Sequence, residues 1–122
     1  MISEVIASMG HTDMLTVCDA GFPISDAVKR IDLSLISGIP SFLETVSALS
    51  ADLEIEQIIL AEEILEMNPG VESGLTDILN DIEVVYVPHK ELIRLSEGSK
   101  AVIRTGECTP YSNVILRSGV IF

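Results

Sequence analysis

Short apolar runs alternate with amphipathic stretches along most of the chain. Apolar residues at Ile2, Val5, Ile6 and Met9 keep helical spacing, and Gly10 stands where a helix C-cap glycine is expected. Met14 to Cys18 is a short apolar strand, closed by the turn Asp19-Ala20-Gly21-Phe22-Pro23. Ser25 to Lys29 suits a helical turn and Ile31 to Leu35 a short strand. Pro40 can occupy the first turn of a helix running to Leu49. Ile55 to Leu60 reads as a buried strand that continues into a helix from Ala61 to Met67. Asn68-Pro69-Gly70 then breaks the chain, and a helix from Val71 to Leu79 follows. Val84 to Val87 is a β-branched strand, after which Pro88 can open a helix through Leu95. Ala101 to Arg104 and Val114 to Leu116 give two more strands around a Gly-Glu-Cys-Thr-Pro turn. Strands alternating with helices predict an α/β fold: one layered domain over residues 1–122, with a mainly parallel sheet flanked by helices.

Composition sharpens this picture. A chain of 122 residues has the size of one domain. Its 48% hydrophobic content and mean hydropathy of +0.46 exceed what one small core needs, and the usual destination of such excess is a subunit interface. A homo-oligomer is therefore expected. The formal charge is −12, from 7 Lys and Arg against 19 Asp and Glu. That balance repels phosphate backbones and anionic lipid, so neither nucleic acid nor a membrane surface is an expected partner. It suits a neutral small molecule better than a strongly anionic one. No apolar run approaches the roughly 18 residues of a membrane span, and the stretch Met1 to Met9 carries Glu4 and no basic residue, unlike a secretory signal. Cys18 and Cys108 are too few for a disulfide framework, and Cys18 reads as a small core residue. The expected location is the cytoplasm.

Both histidines fall at element junctions, where ligand groups gather in α/β folds. His11 follows the first helix, two residues before Asp13, and His89 follows Pro88 between a strand and a helix. A junction histidine can equally be a surface or capping residue. If the helices hold, the macrodipole favours a charged ring near the first helix's C-terminus and a neutral one at the N-terminus beginning at His89. Such a pair is suited to moving protons near neutral pH. Asp19 lies just past the carboxyl end of its strand, placed either to accept sugar hydroxyls or to stabilise its own turn. No H-x-x-x-H or C-x-x-C spacing links His11, Asp13, Asp19 and His89, so no metal is expected. Neither cysteine has the partners of a nucleophile, and there is no phosphate-binding glycine loop.

Several strings then come together in order along nearly the whole chain: Gly10-His11-Thr12-Asp13, Cys18-Asp19-Ala20-Gly21-Phe22-Pro23-Ile24, Arg30-Ile31-Asp32, Gly38-Ile39-Pro40-Ser41-Phe42, Ala61-Glu62-Glu63-Ile64 and Asn68-Pro69. The longest runs from Ala101 through Tyr111-Ser112-Asn113 to Leu116. Together they resemble the D-ribose pyranase family. The resemblance implies an isomerase that interconverts the pyranose and furanose forms of D-ribose without a cofactor. It implies ring-shaped assemblies, typically decamers of stacked pentamers, with sites near subunit contacts. By position, the family's proton-donating histidine falls on His11. Its substrate-binding residues fall on Asp19, His89, Tyr111 and Asn113.

Two rivals share these features. L-fucose mutarotase, a relative that exchanges anomers, resembles the chain at Gly10-His11-x-Asp13 and Tyr111-x-Asn113. It usually carries a histidine where Gly21 stands and a charged run in place of Cys108-Thr109-Pro110, which favours ribose here. A non-catalytic sugar-binding module would use the same hydroxyl-binding residues, but it would not require an ionisable donor such as His11.

Overall fold

The computed structural model describes residues 1–119. Six strands form one mixed sheet, with helices on both faces. Helix α1 (Ile2–Ser8) precedes strands β1 (Met14–Cys18) and β2 (Arg30–Asp32). Helix α2 (Phe42–Ser50) leads to β3 (Ile55–Ala61), and α3 (Ile64–Met67) and α4 (Pro69–Ile78) lead to β4 (Glu83–Val87). Helix α5 (His89–Ser96) and strands β5 (Ala101–Arg104) and β6 (Val114–Ser118) complete the order. Across the sheet the strands run β2-β5-β1-β6-β3-β4. Pairs β1–β5, β2–β5 and β3–β4 are parallel, and β6 lies antiparallel between β1 and β3. The sheet is thus mainly parallel, with one reversed strand at its centre.

Side-chain alternation along the strands builds two cores. Leu15, Val17, Ile58, Leu60, Ile103, Val114 and Leu116 face α1, α2 and α4, where Val5, Phe42, Val46 and Leu75 meet them. On the opposite face, Cys18, Ile59, Ala61, Val102 and Ile115 pack under Leu92 of α5 and under Phe22. Buried Thr16 on that second face bonds Ser99 at 2.7 Å, which satisfies both hydroxyls away from water. No described helix is long and apolar enough to cross a membrane.

Several boundaries differ from the sequence pattern, some for a local reason and some because a paired strand decides them. Gly10 is not a left-handed cap: the chain leaves α1 through extended Met9 (φ −77°, ψ 129°), and the Gly10 N–H goes to Asp13 Oδ2 at 2.8 Å. Thr12, at φ 72°, makes the left-handed turn instead. Ser25 to Lys29 holds one turn, with the Val28 N–H on Ser25 O at 3.3 Å, before the chain must extend into β2. That strand ends at Asp32 because its partner β5 ends at Arg104. Pro40 lies outside α2, since Ser41 and Glu44 close a reciprocal capping box one residue later. Ala61 stays in β3, paired to Val87, so the following helix starts only at Ile64. Asn68-Pro69-Gly70 joins two helices rather than interrupting them, with Pro69 at the first position of α4.

Candidate functional site

The carboxyl ends of β1, β3 and β4, and the segment entering β6, converge on one rim of the sheet. Ligand groups gather at this rim in open α/β folds. Asp19 follows β1 and His89 follows β4, while Tyr111 and Asn113 immediately precede β6. The structure brings these four together. Asn113 Oδ1 accepts the Asp19 N–H at 2.9 Å, which ties the end of β1 to the start of its antiparallel neighbour. The Tyr111 ring stands edge-on to His89, with centroids 5.1 Å apart, and Phe22 flanks the imidazole at 6.0 Å. Tyr111 adopts φ 57°, a left-handed conformation that costs a non-glycine residue roughly 1–2 kcal/mol. Its surroundings must therefore hold it there.

The turn reading of Asp19 is realised. Its Oδ1 accepts the Gly21 N–H at 3.1 Å and so stabilises its own turn. It also sits within the cluster, where burial raises its carboxyl above the usual range, against the opposing effect of the Gly21 N–H. Two buried polar atoms in the cluster, His89 Nδ1 and Asn113 Nδ2, have no hydrogen-bond partner among the described residues. Leaving such atoms unpaired costs about 1–3 kcal/mol each. A polyhydroxylated ligand would supply the missing partners. Cys18, beneath this rim, has its thiol pushed up to about 12, first by burial and then by the charge of Asp19. It is a packing residue, as its apolar run suggests.

His11 is not in this cluster. It precedes β1, whereas Asp19 follows it, so the five residues of β1 separate them by roughly 16 Å. The Thr12 N–H bonds Ser118 O at 3.0 Å, at the far end of β6. The exposed His11 Nε2 lies 3.1 Å from Glu56 Oε2. With α1 ending at Ser8 and Met9 extended, His11 lies outside that helix's last turn. Glu56, a carboxylate from β3, is the charge it meets instead.

Three contributors lie in strings that carry the resemblance, yet no local spacing assigns them a role. Glu63 accepts the His89 N–H with both oxygens, at 3.0 and 3.2 Å, anchoring the first residue of α5. Glu107 joins the Phe42 N–H of α2 (3.0 Å) to the Thr109 hydroxyl (2.7 Å). Asn68 reaches the loop that carries Tyr111. Each acts across 26 or more residues of chain, a span that no spacing rule covers.

Beside this rim, residues 34–40 form an apolar projection. Leu35, Ile36 and Ile39 are 76%, 61% and 50% exposed. Gly106 seats the projection, because a Cβ there would collide with Ile39 O and stand 2.7 Å from Ile36 O. The Gly106 N–H donates to Pro40 O at 2.9 Å, and its carbonyl accepts the Gly38 N–H.

A family model described as the RbsD / FucU transport protein family matches residues 1–121. A D-ribose pyranase of Glaesserella parasuis is 52% identical, covering 99% of this chain and 93% of its own. Another, from Aliivibrio fischeri, is 48% identical with the same coverage. Among solved structures, Bacillus subtilis RbsD complexed with D-ribose superposes with a TM-score of 0.97 at 41% identity, covering 99% of this chain and 92% of that one. Fucose mutarotase from Streptococcus pneumoniae, in complex with L-fucose, shares the fold (TM-score 0.86) at 18% identity.

Proposed function

Because this chain belongs to the RbsD / FucU transport protein family, we propose that it is a D-ribose pyranase, an isomerase exchanging the six- and five-membered rings of D-ribose. The observation that carries this reading is the Asp19–His89–Tyr111–Asn113 cluster with its two unpartnered polar atoms. It supports recognition of a neutral, hydroxyl-rich ligand. Imidazole Nδ1 and amide Nδ2 bond hydroxyls, and the tyrosine ring offers a flat apolar wall with a polar tip.

The chemistry needs one acid and one base. The base takes the proton of the anomeric hydroxyl as the bond from C1 to the ring oxygen breaks. The acid gives that oxygen a proton, leaving the open aldehyde with a free hydroxyl on C5. Reclosure reverses the roles: the C4 hydroxyl loses its proton as it adds to C1, and the carbonyl oxygen gains one. His11 is the proposed donor. Asp19, whose burial makes it a stronger base than an exposed carboxylate, is the proposed acceptor. His89, Tyr111 and Asn113 hold the hydroxyls in register.

One chain cannot assemble this set, since β1 holds His11 and Asp19 apart. The proposed assembly is a ring-shaped homo-oligomer, a decamer of stacked pentamers, in which His11 of one copy completes the cluster of the next. The exposed Leu35, Ile36 and Ile39 beside the rim support a subunit contact at that place. The two free cysteines suit a cytoplasmic setting.

NMR saturation transfer between the ring forms of D-ribose tests the reading. Wild-type protein should accelerate exchange, and His11→Ala should lose between about 10²- and 10⁴-fold of that acceleration. Exchange unchanged by the wild-type protein would sink the proposal.

A further inference from the structure

Asn68 stands at the N-cap of α4, directly after α3. An asparagine there ordinarily turns its side-chain oxygen back onto an N–H of the helix's first turn. This one makes no such bond. Its Nδ2 instead donates across the fold to Thr109 Oγ1 at 3.0 Å, Pro110 O at 2.9 Å and Ser112 Oγ at 3.2 Å. Two amide hydrogens serve three oxygens, so one of them is shared.

The neighbouring hydroxyls fall into a fixed order. Glu107 Oε2 accepts only, so it takes the Thr109 proton at 2.7 Å. Ser112 must then donate to Thr109 Oγ1, 2.8 Å away, which leaves the Ser112 oxygen to accept from Asn68. The amide nitrogen therefore faces oxygens alone. These contacts bracket Tyr111, the residue held at φ 57° against the His89 ring.

We infer that Asn68 is a positioning residue: its amide N–H groups hold the loop from Thr109 to Ser112 so that Tyr111 and Asn113 face the sugar. The inference rests on the cluster being the ribose site, as proposed above. A helix cap alone does not explain Asn68, because its side chain bonds no N–H of α4. Asn68→Asp separates the two roles. The aspartate has the same shape and caps helices as well as asparagine. It also turns an acceptor-only group toward Pro110 O, Thr109 and Ser112.

The chain's two tyrosines give a readout independent of activity. With fluorotyrosine incorporated, Tyr111 reports the loop. Tyr86 reports α4, through its bond to Glu72 at 2.8 Å. Asn68→Asp should shift the Tyr111 fluorine resonance and leave that of Tyr86 in place. KM for D-ribose should rise roughly tenfold, as for one lost hydrogen bond, with kcat changed less. In a Tyr111→Ala background the same substitution should add less than about twofold, since both act through one contact.

A still Tyr111 resonance would overturn the inference. So would a joint shift of Tyr86 with a lowered melting temperature, or a full independent loss in the Tyr111→Ala background. If the wild-type protein leaves ribose exchange unchanged, the functional reading fails separately, and the fluorine shifts still decide whether Asn68 holds the loop.

Discussion

At Asp19, stability and chemistry pull in opposite directions. Burial is the first cause of its raised carboxyl, so the folded protein holds that proton more tightly than the unfolded chain does. Stability is fully present below the ordinary carboxylate range and is lost as pH rises through the raised folded value, so the cost persists at neutral pH. Asn in this place keeps the oxygen that accepts the Gly21 N–H and carries no charge. Asp19→Asn should therefore raise the melting temperature at pH 7, by the equivalent of less than about 1 kcal/mol because solvent screens the half-buried site. The gain should vanish at a pH low enough to protonate Asp19 in both states. Ribose exchange should fall at the same time, and thermal scans paired with saturation transfer check both signs. An exchange rate equal to wild type would remove Asp19 from the proton path.

Among the elements, α2 has the most completely satisfied N-terminus. Ser41 and Glu44 close the capping box, and Glu107 takes the Phe42 N–H from outside the helix. Phe42, Thr45, Val46 and Leu49, spaced at 0, 3, 4 and 7, then bury one face against the sheet. Ser41→Ala should lower unfolding stability by about 1 kcal/mol, read by denaturant melts at one fixed protein concentration. Ring exchange below the transition should not change, since Ser41 touches none of the four cluster residues. The sequence carried most of this level. Strands β1, β3, β4 and β5 were legible within one residue because β-branched and apolar runs leave little choice of state. Other boundaries are set by a partner, as when β4 keeps Ala61 in β3 or the end of β5 stops β2.

For the whole molecule, the decisive fact is direction. All strands but β6 run parallel, so residues that follow β1, β3 and β4 share one rim and His11 lies at the other. A site assembled between copies predicts complementation. His11→Ala and Asp19→Asn should each be nearly inactive alone. Hybrid oligomers formed by co-expression should regain activity, because one copy supplies His11 and its neighbour supplies Asp19. Random equimolar mixing leaves about half of the sites with an intact donor and half of those with an intact acceptor, or roughly a quarter of wild-type activity. Mixed oligomers no more active than either variant would mean that the two residues do not meet across an interface.

The sequence by itself determined the alternation of strands and helices and the family, because periodicity and ordered local strings are properties of neighbouring residues. It marked His11, His89 and Asp19 by their places at element ends, and named Tyr111 and Asn113 through the resemblance alone. Only the tertiary structure decided that four of the five meet and that His11 stands away with Glu56. It alone recruited Glu63, Asn68 and Glu107 to hold the site. The reason is chain geometry. Local spacing reaches about one helical turn or one hairpin, whereas strand order and direction set which distant ends come together.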